Sequence, residues 1–263
     1  GCDLPLALDP VPQRTAPPPL SSPTPILPPA GQDGAWHTLA PGVEQRLIRI
    51  TGETGTLLDE LTLLRLDPAH LRFDVGYRPG APLSLREWSA ETGALLVVNA
   101  GFFTAEYVAT GLTIVDGVAS GWSYEFGGMV AIRDGHPQIQ PLAQQPYDPA
   151  NSPDAAFQAF PMLLLPGGIS ADLSFTTDRP SRRTVIARDQ DGLIVVLIAT
   201  RHHFTLSALA TWLATSDLNL DVALNLDGGT SSGLILRHPP RELPAFSLLP
   251  TVLLVYEGEG RGR

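Results

Sequence analysis

Two short stretches place polar residues at the ends of apolar runs. In "VVNAGFF" (97–103), Asn99 closes a hydrophobic strand and Gly101 lets the backbone turn sharply or lets a ligand approach. The asparagine amide both donates and accepts, so it suits a sugar hydroxyl or a phosphate oxygen. An Asx-type turn accounts for it equally well. In "NLDGGTSSG" (225–233), Asn225 and Asp227 share one strand face, and Leu224 and Leu226 share the other. Gly228 and Gly229 admit positive φ, so the N–H groups of the following turn can form an anion nest beside the Thr230, Ser231 and Ser232 hydroxyls. A glycine-rich hairpin capped by Asp227 is the alternative. A third stretch, "RPSRRTVIARD" (179–189), supplies Arg179, Arg182, Arg183 and Arg188. Arg183, at a strand start, presents the planar fork that pairs with phosphate, whereas surface charge explains most of the others. His202 and His203 are adjacent and point opposite ways on a strand, which argues against a metal pair.

These residues need strands behind them, and the patterning supplies strands. "VEQRLIRI" alternates, "LDELTLLRLDP" continues in kind, and "LRFDVGYRPG" ends in a turn. Asp116-Gly117, Asp134-Gly135 and Asp191-Gly192 each join two apolar runs as hairpin turns. "AFQAFPMLLLPGGIS" reads as one buried strand and a turn, and the polar "DLSFTTDRPSRR" (172–183) as a mobile loop over a site. Two helices are expected. One is "PLSLREWSAETG", where Ser84 and Glu87 form a capping box and Gly93 closes the helix; the other is "TLSALATWLATSDLN", with apolar residues at helical spacing. The fold class expected is α+β: a large, mostly antiparallel or mixed sheet with covering helices, in a single domain over 35–258.

Acidic residues total 27 against 17 basic ones, a formal net charge of −10, which argues against a nucleic-acid binder, whose affinity would need a basic stripe. Every basic residue is arginine, so an anion site here must use arginine, backbone N–H groups or hydroxyls. The sole cysteine, Cys2, follows Gly1 and precedes a proline-rich run. That pattern resembles a bacterial lipoprotein start, so residues 1–34 are expected to be a semi-rigid polyproline tether and Cys2 a lipidation site. The domain is then expected outside the cytoplasm, held to a membrane by its lipid anchor only, with 259–263 as a tail. No internal run is long and apolar enough to span a bilayer as a helix.

Taken in order, "NAGFF", "GLTIVDG", "VAIRDGH", "RRTVIARDQDGLIVV", "TLSALATWL" and "ALNLDGGTSSG" resemble the phosphodiester glycosidase family over roughly Leu95 to Tyr256. The resemblance implies a hydrolase that removes a sugar from a sugar-1-phosphodiester, here on envelope or extracellular glycans. Asn99, Gly101, Phe102, Arg183, Thr184, Asn225, Asp227, Gly228 and Gly229 match the family motifs; Arg201 and Ser231 join them as expected substrate contacts. Asp227 is expected to serve the oxocarbenium-like centre as nucleophile or as base for water, with Glu106 or Glu125 as a second carboxylate. A phosphomonoester leaves readily, so charge neutralisation by Arg183 and the glycine nest would replace much of the proton donation. No cofactor is required by this reading; calcium or magnesium on the Asp227 and Asn99 oxygens is a further possibility. The chain departs from the family where Thr200 and Arg201 stand in place of Asp and Gly, at Ala187, at Thr230 and in "QAFPMLL". A catalytically silent glycan-binding domain on the same fold is the alternative function.

Overall fold

The computed structural model describes residues 34–174 and 179–258. Cys2, the expected tether apart from Gly34, the tail 259–263, and residues 175–178 of the expected loop lie outside the described residues. Every strand pairing among the described residues is antiparallel. The strands form three sheets where the patterning suggested one.

The eight-stranded sheet runs, in spatial order, His37–Ala40, Val43–Thr51, Leu57–Leu66, Ile194–Ala199, Arg183–Asp189, Leu220–Asn225, Met162–Leu165 and Ile169–Ser170. Its inner strands are apolar on both sides because both sides are covered. Ile186, Val196, Ile198 and Leu224 pack into a core shared with the other two sheets. Val185, Val195, Leu197 and Ala223 alternate with them and face helix α2 (Leu206–Thr215). A second sheet holds Thr113–Val115, Val118–Ser120, Gly128–Arg133, His136–Pro141 and Ala155–Ala159. The third holds Leu71–Tyr77, Leu96–Asn99, Leu234–Leu236, Arg241–Leu243 and Thr251–Glu257.

"AFQAFPMLLL" is therefore two strands in two different sheets, parted at Phe160-Pro161. Proline offers no N–H to a ladder, so pairing stops there and the chain crosses from the second sheet to the first. The Asp-Gly hairpins form as the dipeptides dictate: Asp116-Gly117 and Asp134-Gly135 carry the positive φ that their two-residue turns require.

Helix α1 (Leu85–Thr92) has the reciprocal Ser84–Glu87 capping box and ends on left-handed Gly93. Its Trp88 is buried, donates Nε1–H to the Leu249 carbonyl at 2.8 Å, and lies over Gly76. A Cβ at Gly76 would stand 2.7 Å from the Trp88 ring and 2.9 Å from Val252. Gly76→Ala is expected to cost about 1–3 kcal/mol of stability through overpacking, read by urea denaturation with Trp fluorescence.

Candidate active site

One edge of the eight-stranded sheet collects the motifs. Cross-strand partners Leu61–Ala199, Ala199–Arg183, Val185–Asn225 and Leu224–Met162 bring to this edge Asp59, the Thr200–His203 turn, the Arg182–Arg183 strand start, the Asn225 strand end and Phe160-Pro161. The third sheet joins the same edge through Asn99.

Asn99 is 0% exposed, and protein groups bind both its amide oxygen and its amide nitrogen. Oδ1 accepts from the Thr184 hydroxyl at 2.8 Å and from Gly233 N–H at 3.0 Å, while Nδ2 donates to the Asp227 carbonyl at 2.7 Å. The Asp227 N–H then donates to the Ala100 carbonyl at 3.0 Å. Both acceptor positions of Oδ1 and one of the two Nδ2 hydrogens of Asn99 are thus taken by protein groups. Asn99 clasps the strand that carries Asp227, and Thr184, also 0% exposed, is part of that clasp. The same oxygen cannot serve calcium or magnesium, since two donors already fill it. Gly101 is required for packing in any case, because a Cβ there would lie 2.7 Å from the Gln158 carbonyl oxygen.

Asp227 is half-buried at the mouth of the edge. Burial pushes its carboxyl above the ordinary aspartate range, opposed by hydrogen bonds from the Ser231 hydroxyl and Gly228 N–H. The Gly228 N–H lies 2.9 Å from Oδ1. Ser231 is in turn 3.3 Å from the Ser247 hydroxyl, which is 3.2 Å from that of exposed Thr230. A line of hydroxyls thus runs from the half-buried carboxyl to solvent.

The anion nest expected at Gly228 and Gly229 does not form. Gly229 N–H goes to the Arg182 carbonyl at 2.9 Å, and Ser231 N–H to the Gly228 carbonyl at 3.1 Å. The glycines are needed for shape, Gly229 at φ +59° and Gly228 passing the Arg182 carbonyl where a Cβ would sit at 2.9 Å.

Arg183 is 8% exposed, and its Nε–H and one Nη–H donate to the carbonyls of Phe204 and Arg179 at 3.2 and 2.8 Å. Alternation puts it on the face opposite Thr184. Its expected role as a phosphate fork is corrected to that of an anchor for the flanking loops. Arg182 is buried as well, donating to the Ser232 and Pro244 carbonyls at 2.8 and 3.0 Å beneath the Phe246 ring. Arg201 is exposed at the same edge, and among the described residues no side chain pairs with its guanidinium.

Glu106 and Glu125 are both exposed, outside this edge's buried groups. The Thr104 hydroxyl holds the Glu106 carboxyl below its usual range, the reverse of what a general acid needs. Neither supplies a buried second carboxylate. The one the patterning missed is Asp59, 0% exposed, whose Oδ1 accepts from Glu60 and Arg201 N–H groups at 2.8 and 2.9 Å. Burial raises its pKa, and Oδ2 has no partner among the described residues. Its signal was an acid on the inward face of Leu61 and Leu63 in "LLDELTLL". Asn225 donates Nδ2–H to the Phe160 carbonyl at 2.9 Å and leaves Oδ1 unpartnered among the described residues. Phe102 stacks on Phe160 with centroids 4.5 Å apart. Among the described residues no three His, Cys, Asp or Glu side chains cluster as a metal site.

The family model of phosphodiester glycosidases matches residues 92–256, which span this whole arrangement from α1 to the last strand. The chain belongs to the phosphodiester glycosidase family. Its domain is that of a glycosidase-type hydrolase. The fold resembles the zebrafish N-acetylglucosamine-1-phosphodiester alpha-N-acetylglucosaminidase catalytic domain auto-inhibited by its pro-peptide, with TM-score 0.64 and 18% identity over 86% of this chain and 87% of that one. A hypothetical protein from Synechocystis matches with TM-score 0.61 at 14% identity, over 88% of this chain and 64% of that chain. A Burkholderia pseudomallei protein described as exported matches with TM-score 0.55 at 12% identity, over 89% and 99%. None of the curated proteins matches the sequence.

Asn99→Leu is expected to strand the Thr184 hydroxyl, Gly233 N–H and Asp227 carbonyl together, costing about 2–5 kcal/mol. Asn99→Asp should be nearly as costly, because a carboxylate cannot donate to the Asp227 carbonyl. Denaturant unfolding of both variants checks this.

Proposed function

We propose that this domain hydrolyses a glycosyl-1-phosphodiester, with Asp227 as the base that activates water at the anomeric carbon. The observation that carries the reading is the Asp227 carboxyl itself: half-buried, raised in pKa by desolvation, and held by the backbone clasp at the meeting of two sheets. A raised pKa makes a carboxylate a better proton acceptor near neutral pH. In the step proposed, a water proton passes to Asp227 as the water oxygen bonds to the anomeric carbon. The bond from that carbon to the phosphate oxygen breaks, and the electron pair leaves with the phosphomonoester. That leaving group is acidic enough to depart without a proton, which fits a site whose Glu106 and Glu125 stand in solvent.

Arg201 supplies the positive charge in this reading. It is exposed, and the Asp59 carboxylate receives its backbone N–H, so the turn that bears it is fixed from below. No step calls on a metal, and activity unchanged by a chelator is part of the proposal. The setting we propose is extracytoplasmic, with the proline-rich run holding the domain off a membrane to which Cys2 is acylated. Fatty-acid labelling of cells that is lost in Cys2→Ser tests this, and labelling that persists overturns it.

The pH dependence follows from the direction of the Asp227 shift. A base must be ionised to act, so kcat/KM is expected to fall as pH drops through the raised pKa, above the ordinary aspartate value of about 3.9. Folding disfavours the ionised carboxylate, so the parent loses stability as pH rises from that ordinary value through the raised one. Asp227→Asn does not ionise and escapes this loss. It should therefore lower kcat/KM by about 10²–10⁴-fold while its Tm, relative to the parent, climbs from pH 4 to pH 7. Arg201→Ala, assayed alongside, is expected to lower kcat/KM about 10²-fold with the pH profile kept. Glycan binding with no turnover in the parent would favour the silent domain instead.

A further inference from the structure

An apolar cavity of about 620 Å³ lies where the chain crosses from the second sheet to the eight-stranded one. Phe126, Phe160, Pro161, Met162, Leu165 and Leu173 line it, and among the described residues only Gln144 and Asp172 bring polar side chains to its wall. That volume falls in the range of sites that enclose a small organic ligand, roughly 300–1,000 Å³.

The cavity is one side chain away from the proposed reaction centre. Phe160 forms its wall, stacks on Phe102 at 4.5 Å, and accepts the Asn225 Nδ2–H at 2.9 Å through its carbonyl. Asn225 ends its strand two residues before Asp227, so the Cα atoms of the two lie at most about 7 Å apart. At the mouth, Phe126 is 56% exposed and meets Phe160 edge-on at 5.6 Å. An exposed aromatic beside an open apolar hollow is costly in water unless something apolar occupies it.

We propose that the cavity is the aglycone subsite and that it selects a hydrocarbon alcohol, so the substrates are glycosyl-1-phosphates esterified to an alkyl or prenyl-type chain. A sugar aglycone would carry several hydroxyls into a wall with almost no acceptors or donors, each left unpaired at a cost. A chain of methylenes or isoprene units needs none. The inference rests on the glycosyl-1-phosphodiesterase reading, which supplies the phosphate that ties sugar to chain.

Two measurements separate the inference from that reading. Calorimetric binding of ethyl, butyl and octyl phosphate to the purified protein probes the cavity without any turnover. Affinity is expected to rise by up to about fourfold per methylene, the factor equivalent to about 0.8 kcal/mol, and octyl phosphate to bind at least about 100-fold tighter than ethyl phosphate. Phe126→Ser and Leu165→Gln should each narrow that octyl-to-ethyl ratio at least about tenfold. Hydrolysis of the methyl, octyl and sugar 6-hydroxyl esters of N-acetylglucosamine-1-phosphate should follow the same order, octyl first. Equal binding of ethyl and octyl phosphate, or faster hydrolysis of the sugar ester than of the octyl ester, overturns the proposal. Tight octyl phosphate binding with no hydrolysis of any ester supports the apolar subsite and sinks the reaction.

Discussion

The buried amide of Asn99 is the interaction on which the site depends. Three segments far apart in sequence meet there: the Thr184 hydroxyl from the eight-stranded sheet, the Gly233 N–H that leads into the third sheet, and the Asp227 carbonyl between them. Both acceptor positions of the amide oxygen are used, and Nδ2 donates, so the local arrangement is singular; a residue with only donors or only acceptors would leave a buried group bare. The Asp227 N–H to Ala100 and Leu226 N–H to Thr184 bonds extend the same seam on either side. A carboxyl can be kept half-buried at an awkward pKa only if its backbone has nowhere else to go.

Charge at this edge is distributed by burial more than by sequence proximity. Arg182 and Arg183 lie within the motif, yet both spend guanidinium N–H groups on backbone carbonyls of neighbouring loops. Desolvation lowers the Arg182 pKa, with the Asp59 charge acting the other way. Arg182 and Arg183 are buried and anchor loops, while Arg201, whose N–H Asp59 receives, faces water at this edge, as does Arg179. Building the rim from carbonyl-bound arginines gives it rigidity that lysine's point charge would supply less well, because the planar fork reaches two carbonyls at once.

Much of the fold was legible in the sequence because it is encoded locally. Ser84, Glu87 and Gly93 mark both ends of α1, and Asp-Gly pairs mark hairpins whose φ values only a few residues tolerate. What stayed hidden was non-local. "AFQAFPMLLL" has the same hydrophobicity on both sides of Phe160-Pro161, so nothing in its period announces that the halves join different sheets. Strand alternation separated Arg183 from Thr184 correctly, but could not say that Asn99 waits on the Thr184 side and carbonyls on the other. The glycines of "LDGG" promised free N–H donors; the structure spends those donors within the chain, a choice made by the Arg182 carbonyl contributed from another strand. Asp59 was readable as an inward acid only once the inward face of its strand was known.

Phe160-Pro161 links these themes. Ending one strand and starting another within two residues leaves a corner between two sheets that no side chain of the described residues fills, and the cavity opens there. The same corner frees the Phe160 carbonyl from a ladder to receive Asn225, and turns the ring outward onto Phe102 of the "NAGFF" motif. The break between sheets therefore sets one wall of an apolar hollow next to the Phe160 carbonyl that Asn225 binds, and the segments 143–144 and 171–173 complete it. A strand running unbroken from Ala155 to Leu165 would have kept the Phe160 carbonyl in a ladder and out of reach of Asn225, so the break between sheets is what joins the hollow to the Asn225 strand end.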